Sequence, residues 1–287
     1  MEGNMTRLVF SLLLSIENKK DCAIDDVCLD MYHEYKDQIV KMQCEYAEYC
    51  GADYRLIEDH DYYTKEFYPE YRERFPYVTD FDIIQYYKIK AFETFCDHYD
   101  EVLFLDFDVL PGNKRANFFE EFDLSELFAI RQTQLPGEHS ELEGLSSQYR
   151  KGLITRFLLN RDNFMRQWVD VFNFNTGVMG GTKKSFASLD YFDTLHEILP
   201  IINEHGFQQI RDIDKDLKGG SNIIYSNEIA MTYAIMKDDK PYQNIEYEWN
   251  YDIAKTDKCY LHHCQQHPIL NFRLTGKDPE IDLWTGF

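Results

Sequence analysis

Two aspartates one residue apart, Asp106 and Asp108, are the residues whose type and spacing most directly suggest chemistry in this sequence. They follow an apolar run, 102–105, and precede a Pro-Gly pair, and such a run bounded by a turn is typical of a buried strand. Because alternate side chains of an extended chain point the same way, both carboxylates can face one spot at the strand end. Carboxylate oxygens suit a hard divalent cation, so the pattern predicts a metal site. The plainer interpretation is that two aspartates simply end a strand.

A histidine-rich segment near the end of the chain offers a further ligand. Residues 262–267 contain His262, His263, Cys264 and His267, which are residue types that bind transition metals. Neighbouring side chains of a strand point to opposite sides, so His262 and His263 cannot both face one ion. One histidine joined to two aspartates would make a mixed site suited to manganese. Such a cluster standing alone is more often structural.

A lysine lies on the apolar face of a predicted helix over 82–98. Lys88 is four residues after Ile84 and four before Phe92, so it shares the stripe that should pack on the core. A core-facing lysine needs an anion, or its stem packs while the ammonium reaches solvent. The helix leads directly into the predicted aspartate strand, so Lys88 can reach the same pocket.

Two further segments combine polar side chains with a turn or a helix start. Asn175 and Gly177 end an alternating Phe-Asn strand, where an amide and close backbone approach would be available. Ser226, Asn227 and Glu228 open a helix; the serine suits a cap, and the glutamate complements the helix dipole. Without other information, an ordinary strand end explains the first segment and an ordinary helix cap explains the second.

An α/β fold is predicted to position these residues, because strands and helices alternate from the start of the chain. The strands are expected at 8–16, 52–57, 102–105, 127–131, 169–179 and 259–263, and the main helices at 26–50, 82–98, 185–199 and 226–237. A surface loop is expected at 58–77, loops and short helices at 132–167, and a strand break at Gly180-Gly181. No linker composition appears, so residues 1–287 are predicted to form a single domain.

Charge and cysteine usage limit the partners and the compartment. The net charge of −21 argues against nucleic acid or an anionic membrane, and an anionic substrate would need a local cation such as a metal. Seven cysteines without C-x-x-C spacing indicate free thiols in a reducing compartment. The apolar run at 8–16 is too short for a transmembrane segment, so a cytoplasmic protein is expected.

Taken in order, the motifs resemble those of nucleotide-sugar glycosyltransferases of the GT-A fold, in particular the glycogenin-like family and the plant and yeast α-galactosyl- and α-xylosyltransferases. The resemblance extends over roughly residues 7–270. The elements that carry it are Tyr46–Tyr54, Tyr87–Ile89 before the D-x-D strand, Phe174–Val178, Ser226–Glu228, Trp249–Tyr251 and His262–Pro268.

The resemblance implies a single GT-A-type domain, with a Rossmann-like mixed sheet flanked by helices, that uses Mn²⁺ or Mg²⁺ and a nucleoside-diphosphate sugar, UDP in particular. Asp106, Asp108 and His262 would hold the metal on the diphosphate. The donor would be contacted by Lys88, Asp106, Asn175, Gly177 and His267. Lys88, Asn227 and Glu228 would act at the catalytic centre. The acceptor would be a glycan or another hydroxyl compound, and the anomeric configuration would be retained.

This chain departs from the family pattern at the catalytic helix and at the final motif. Ser-Asn-Glu stands where the family has S-D-Q, and His267 replaces the lysine of K-P. A phosphatase of the haloacid-dehalogenase type remains an alternative, with Asp106 as nucleophile and Asp108 as acid/base. A non-catalytic nucleotide-sugar-binding protein is a third possibility.

Overall fold

A computed structural model describes most of the chain. The described residues are 5–14, 26–58, 60–112, 116–133, 151–152, 154–160, 173–205, 226–246, 249, 251–252 and 261–263. Side chains are described for these residues except 26–31, 133, 251–252 and 261–263.

A mixed six-stranded sheet forms the centre of the fold, in the order β2-β1-β3-β6-β5-β7. Its strands are β1 (Arg7–Leu12), β2 (Asp53–Ile57), β3 (Glu101–Leu105), β5 (Phe128–Thr133), β6 (Asn173–Gly181) and β7 (Tyr242–Asn244). β1 pairs in parallel with β2 and β3, and β6 lies antiparallel between β3 and β5. The predicted α/β fold with a mixed central sheet is confirmed.

Helices cover both faces of this sheet, and alternate strand residues separate into two cores. Phe10 and Phe104 belong to one core and Val9 and Leu103 to the other, as expected for a sheet buried on both sides. The helices are α1 (Asp26–Tyr49), α2 (Tyr68–Arg74), α3 (Asp80–Phe95), α4 (Phe118–Glu121), α5 (Lys183–Ala187), α6 (Tyr191–Glu204) and α7 (Ser226–Lys237). Helices α3, α6 and α7 pack on the first core, and α1 and α4 on the second.

A second, small sheet adjoins the end of β3. It consists of β4 (Val109–Pro111), β9 (Leu261–His263) and β8 (Tyr251–Asp252), in the order β4-β9-β8. β9 runs antiparallel to β4, with Leu110 opposite His262. The backbone of the predicted histidine strand therefore lies beside the strand that follows the aspartates.

Capping geometry marks the start of α3 and the end of α1. Thr79 caps α3, and its hydroxyl oxygen accepts a hydrogen bond from the Asp82 amide at 3.1 Å. Gly51 follows α1 with a φ of 66°, the left-handed conformation that glycine adopts without steric cost. None of the helices within the described ranges combines the length and apolar character needed to cross a bilayer.

The prediction of a surface loop at 58–77 is wrong. A π-helical turn over Tyr63–Phe67 leads directly into α2, and a stripe of aromatic residues spaced by four is buried there. The stripe consists of Tyr63, Phe67, Tyr71 and Phe75. It packs against α3, with the ring centroids of Tyr63 and Tyr87 4.9 Å apart. The four-residue spacing of these aromatic residues is typical of a helix. The many charged residues and tyrosines in the same segment favoured the prediction of a loop instead.

The strand break predicted at Gly180-Gly181 is also wrong, because β6 continues through both glycines. They permit close packing. A Cβ on Gly180 would lie 2.3 Å from Cε1 of Phe118, and one on Gly181 would lie 2.8 Å from Cδ2 of Phe128. The two glycines therefore leave room for the Phe118 ring of α4 and the Phe128 ring of β5 to pack against β6.

The single helix predicted over 185–199 is two helices. Thr182, rather than Ser185, caps α5, and the side chains of these two residues form a capping box. Asp190 then takes a left-handed conformation with a φ of 49°, which ends one helix and begins α6.

Gly180→Ala is expected to destabilise the fold by about 1–3 kcal/mol, because the new methyl group overlaps the buried Phe118 ring. Chemical denaturation measures the loss. Gly51→Asn serves as the control, since no atom lies within 4 Å of its Cβ position and asparagine tolerates positive φ. Equal stability of the two variants would contradict the packing role of Gly180.

Candidate functional site

The two aspartates lie in a tight turn between β3 and β4. The amide of Val109 donates to the carbonyl of Asp106 at 2.9 Å, which closes the turn. We call residues 106–109 the aspartate turn. The extended conformation predicted for Asp106 and Asp108 is wrong, so alternation along a strand does not set the directions of their side chains.

Lys88 reaches the aspartate turn from α3. Its side chain is buried, and its Nζ lies 3.0 Å from Oδ1 of Asp106. The ammonium also lies 5.1 Å from the centroid of the Phe104 ring. The prediction that Lys88 faces the core and can reach the aspartate strand end is confirmed, and its anionic partner among the described residues is Asp106.

Asp108 is held from the other face of the sheet. The hydroxyl of Tyr32 on α1 donates to its Oδ2 at 3.0 Å, and the Tyr32 ring packs edge-on against Phe107. Asp108 is itself buried. Donors from helices on opposite faces therefore contact the two carboxylates, which orients both.

An irregularity in β6 brings the Asn-Thr-Gly motif to the aspartate turn. The pairing of β6 with β5 shifts between Met179 and Asn175, which leaves residues 176–178 as a bulge, called here the β6 bulge. The carbonyl of Gly177 accepts from the Asp106 amide at 2.7 Å, and the Gly177 amide donates to Oδ1 of Asn175 at 2.9 Å. The predicted turn at Asn175 and Gly177 is thus a bulge within one strand.

The start of α7 meets the same bulge. Nδ2 of Asn227 donates to the Thr176 hydroxyl at 2.9 Å. Asn227 is 1% exposed, and its Oδ1 has no hydrogen-bond partner among the described residues. A buried acceptor without a partner is uncommon in folded proteins.

Glu228 forms a buried ion pair that the sequence did not indicate. Its Oε2 contacts Nζ of Lys151, and its Oε1 accepts from the Thr176 amide at 3.2 Å. The Glu228 side chain is 7% exposed and that of Lys151 is 5% exposed. Lys151 lies in a segment without a clear period, and no local pattern points to its partner 77 positions away.

Asp82 ties the start of α3 to the start of α7. Its Oδ1 accepts from the Ser226 hydroxyl at 2.9 Å, and its Oδ2 accepts from the Thr79 hydroxyl at 2.8 Å. The hydroxyl of Tyr86 also contacts that of Ser226. Burial raises the pKa of Tyr86 well above its usual value, so this phenol stays protonated at neutral pH. These hydrogen bonds fix α3, which carries Lys88, relative to α7, which carries Asn227.

The predicted metal ligands are described only in part. Two carboxylates share one short turn, and the backbone of His262 lies one strand away, opposite Leu110. This mixed oxygen and nitrogen donor set is the kind that manganese accepts. Among the described side chains, no group of three or more His, Cys, Asp or Glu comes together. The side chain of His262 and the whole of His267 lie outside the described part.

The described fold resembles that of solved glycosyltransferases. One is mouse xyloside xylosyltransferase 1 in its apo form, with a TM-score of 0.47 and 10% identity over 91% of this chain and 98% of that chain. Another is a glycosyltransferase involved in the glycosylation of the major capsid of PBCV-1, with a TM-score of 0.45 and 14% identity over 94% of this chain and 99% of that chain. No protein family and no curated protein matches the sequence.

Lys88→Met is expected to separate activity from stability. It removes the ammonium from Asp106, which retains access to solvent, so thermal stability should be kept or raised. If Lys88 stabilises charge on a leaving group, kcat should fall by about 100-fold or more. Lys90→Met is the matched control, since Lys90 pairs with Glu93 on the outer side of α3. Full activity of Lys88→Met in a sugar-transfer assay would exclude this role.

Proposed function

We propose that this protein is a metal-dependent glycosyltransferase that moves a sugar from a nucleoside-diphosphate donor to a hydroxyl of a glycan or related acceptor.

 The donor is a UDP-sugar, and the transfer proceeds with retention of configuration. Mn²⁺ or Mg²⁺ is the cofactor.

The observation that carries the proposal is the convergence of three distant motifs on the β6 bulge. The Gly177 carbonyl binds the amide of Asp106, and the Thr176 amide and hydroxyl bind Glu228 and Asn227. Lys88 joins the cluster through its contact with Asp106. A cation, two carboxylates, an amide acceptor and a glycine backbone therefore lie near the end of β3 and the β6 bulge. Groups of these kinds can bind a diphosphate and a sugar together.

Each side chain has a distinct role in the proposed reaction. Lys88 stabilises negative charge as the diphosphate departs. Asn175 and the backbone of Gly177 line the sugar site. Oδ1 of Asn227, which has no hydrogen-bond partner within the described ranges, accepts a hydrogen bond from a sugar hydroxyl. Both oxygens of Glu228 are engaged, so its role is to hold Thr176 in place. His267 completes the donor contacts in this proposal.

The metal would be held by Asp106, Asp108 and His262. When bound, it would neutralise the diphosphate and make it a better leaving group. Tyr32 and Lys88 orient the two carboxylates in advance, so that little reorganisation is needed when the ion and the donor arrive. A bound cation also supplies local positive charge at the site, in a protein whose net charge of −21 otherwise repels an anionic donor.

The proposed compartment is the cytoplasm. The three cysteines with described side chains, Cys44, Cys50 and Cys96, are free thiols. Burial raises the pKa of Cys50 to about 11, which makes this thiol unreactive at neutral pH. Free thiols of this kind suit a reducing environment.

A screen of UDP- and GDP-sugars for metal-dependent hydrolysis tests the proposal. The full chain is incubated with each donor, with Mn²⁺, Mg²⁺ or a chelator, and release of the nucleoside diphosphate is measured. Thermal shift with UDP and Mn²⁺, separately and together, measures binding. We expect UDP release from at least one donor, stimulated by the metal, and a larger thermal shift when UDP and Mn²⁺ are combined.

The alternatives give different results in the same assays. Magnesium-dependent hydrolysis of a phosphate ester, with an aspartyl-phosphate trapped on Asp106, would identify a phosphatase instead. Donor binding without turnover for any acceptor would identify a binding protein. The absence of any thermal shift with UDP and Mn²⁺ would exclude the proposed donor.

A further inference from the structure

A buried glutamine on α1 makes a dense set of contacts beneath the aspartate turn. Gln43 is 0% exposed. Its Nε2 lies 2.8 Å from the carbonyl oxygen of Val109, 3.3 Å from that of Asp106 and 3.5 Å from that of Phe107. One side-chain amide thus faces three backbone carbonyls of the same turn.

The opposite end of the same amide is anchored to the sheet. Oε1 of Gln43 accepts from the Ser11 hydroxyl at 2.7 Å and from the Tyr54 hydroxyl at 2.8 Å. Ser11 lies on β1 and Tyr54 on β2. Because a carbonyl oxygen offers two lone pairs, both acceptor positions are filled. The three carbonyls on the other side require the NH₂ group there, so the amide can adopt only one orientation.

We propose that Gln43 is a positioning residue that sets the conformation of the aspartate turn, and through it the placement of the Asp106 and Asp108 carboxylates for a divalent cation. The inference rests on the proposed function and extends it to a residue that touches neither carboxylate. Gln43 contacts the backbone of the turn, whereas Lys88 and Tyr32 contact the carboxylates themselves. Groups that orient metal ligands in this way have large effects on metal affinity.

Gln43→Glu is the sharpest test, because it preserves size while it removes the N–H donors. A carboxylate oxygen would then face the three carbonyls. Tyr54→Phe is the matched control, since it removes one hydrogen bond to the same glutamine and leaves the contacts with the turn in place. Gln43→Met replaces Gln43→Glu if the latter does not fold.

Two measurements on the full chain distinguish positioning from general stabilisation. Mn²⁺ affinity is measured from the electron paramagnetic resonance signal of free Mn²⁺ in the presence of UDP, and hydrogen exchange is followed in peptides that contain residues 105–111. We expect Gln43→Glu to raise the Kd for Mn²⁺ by about tenfold or more and to speed exchange in these peptides. Tyr54→Phe should leave both values close to those of the wild type.

The outcomes separate this inference from the proposed function. If the wild type binds Mn²⁺ and Gln43→Glu binds it equally well with unchanged exchange, Gln43 does not position the turn and the proposed function stands. If the wild type binds no Mn²⁺, the metal-dependent function fails. In that case, unchanged exchange in the variant would also overturn the positioning role, and faster exchange would support it.

Discussion

Asp108→Asn is expected to abolish metal-stimulated UDP release, with a loss of about 100-fold or more. A metal contributes several kcal/mol of charge stabilisation, and each 1.4 kcal/mol is about tenfold in rate. The amide keeps an acceptor for the Tyr32 hydroxyl, so the fold should be little affected. The measurement is UDP release as a function of Mn²⁺ concentration, together with the melting temperature of the variant.

Asp193→Asn is the control for this substitution, because Asp193 is an exposed acidic residue of α6. It should leave both UDP release and its metal dependence unchanged. If Asp108→Asn retained metal-stimulated release at the level of this control, Asp108 would not be a metal ligand.

Lys151→Met is expected to lower the free energy of unfolding by about 3–5 kcal/mol, because it leaves the Glu228 carboxylate buried without its cation. The double variant Lys151→Met, Glu228→Gln should recover most of this loss. Glutamine removes the charge and can still accept the Thr176 amide hydrogen bond. Denaturant unfolding of both single variants and the double variant completes a double-mutant cycle.

Turnover of the double variant then decides the role of Glu228. If Glu228 only holds Thr176, the stable double variant should regain activity to within about tenfold of the wild type. If it folds normally but remains inactive, the carboxylate itself takes part in catalysis. Lys237→Met is a suitable control for loss of a lysine, since its pair with Glu197 is partly exposed and should contribute little.

The sequence predicted those parts of the site that depend on local patterns. Lys88 shares the face of Ile84 and Phe92, so the helix and the core-facing position of its lysine could both be predicted, while the alternative that the ammonium reaches solvent stayed open. The apolar run before Asp106 likewise indicated β3. In each case the sequence pattern that supports the prediction lies within a single helix or strand.

The parts that the sequence did not predict depend on contacts between distant segments. Gln43 and Lys151 are polar residues with no local feature that marks them as buried, and each acquires its role from partners far along the chain. The continuation of β6 through Gly180 depends on the approach of Phe118, which is not visible in the strand itself. The aspartate turn was predicted as extended because its closing bond and its link to Gly177 are tertiary features.

The β6 bulge also has a consequence for folding. Its contacts join Asp106 to Gly177 and Thr176 to Glu228, and β6 can pair with β3 only after the chain between them has closed a long loop. Contacts of such high sequence separation form slowly, because the loop entropy is lost before they stabilise the fold. The site should therefore arise only when the central sheet is complete, and fragments that end before β6 should carry the aspartates without a formed site around them.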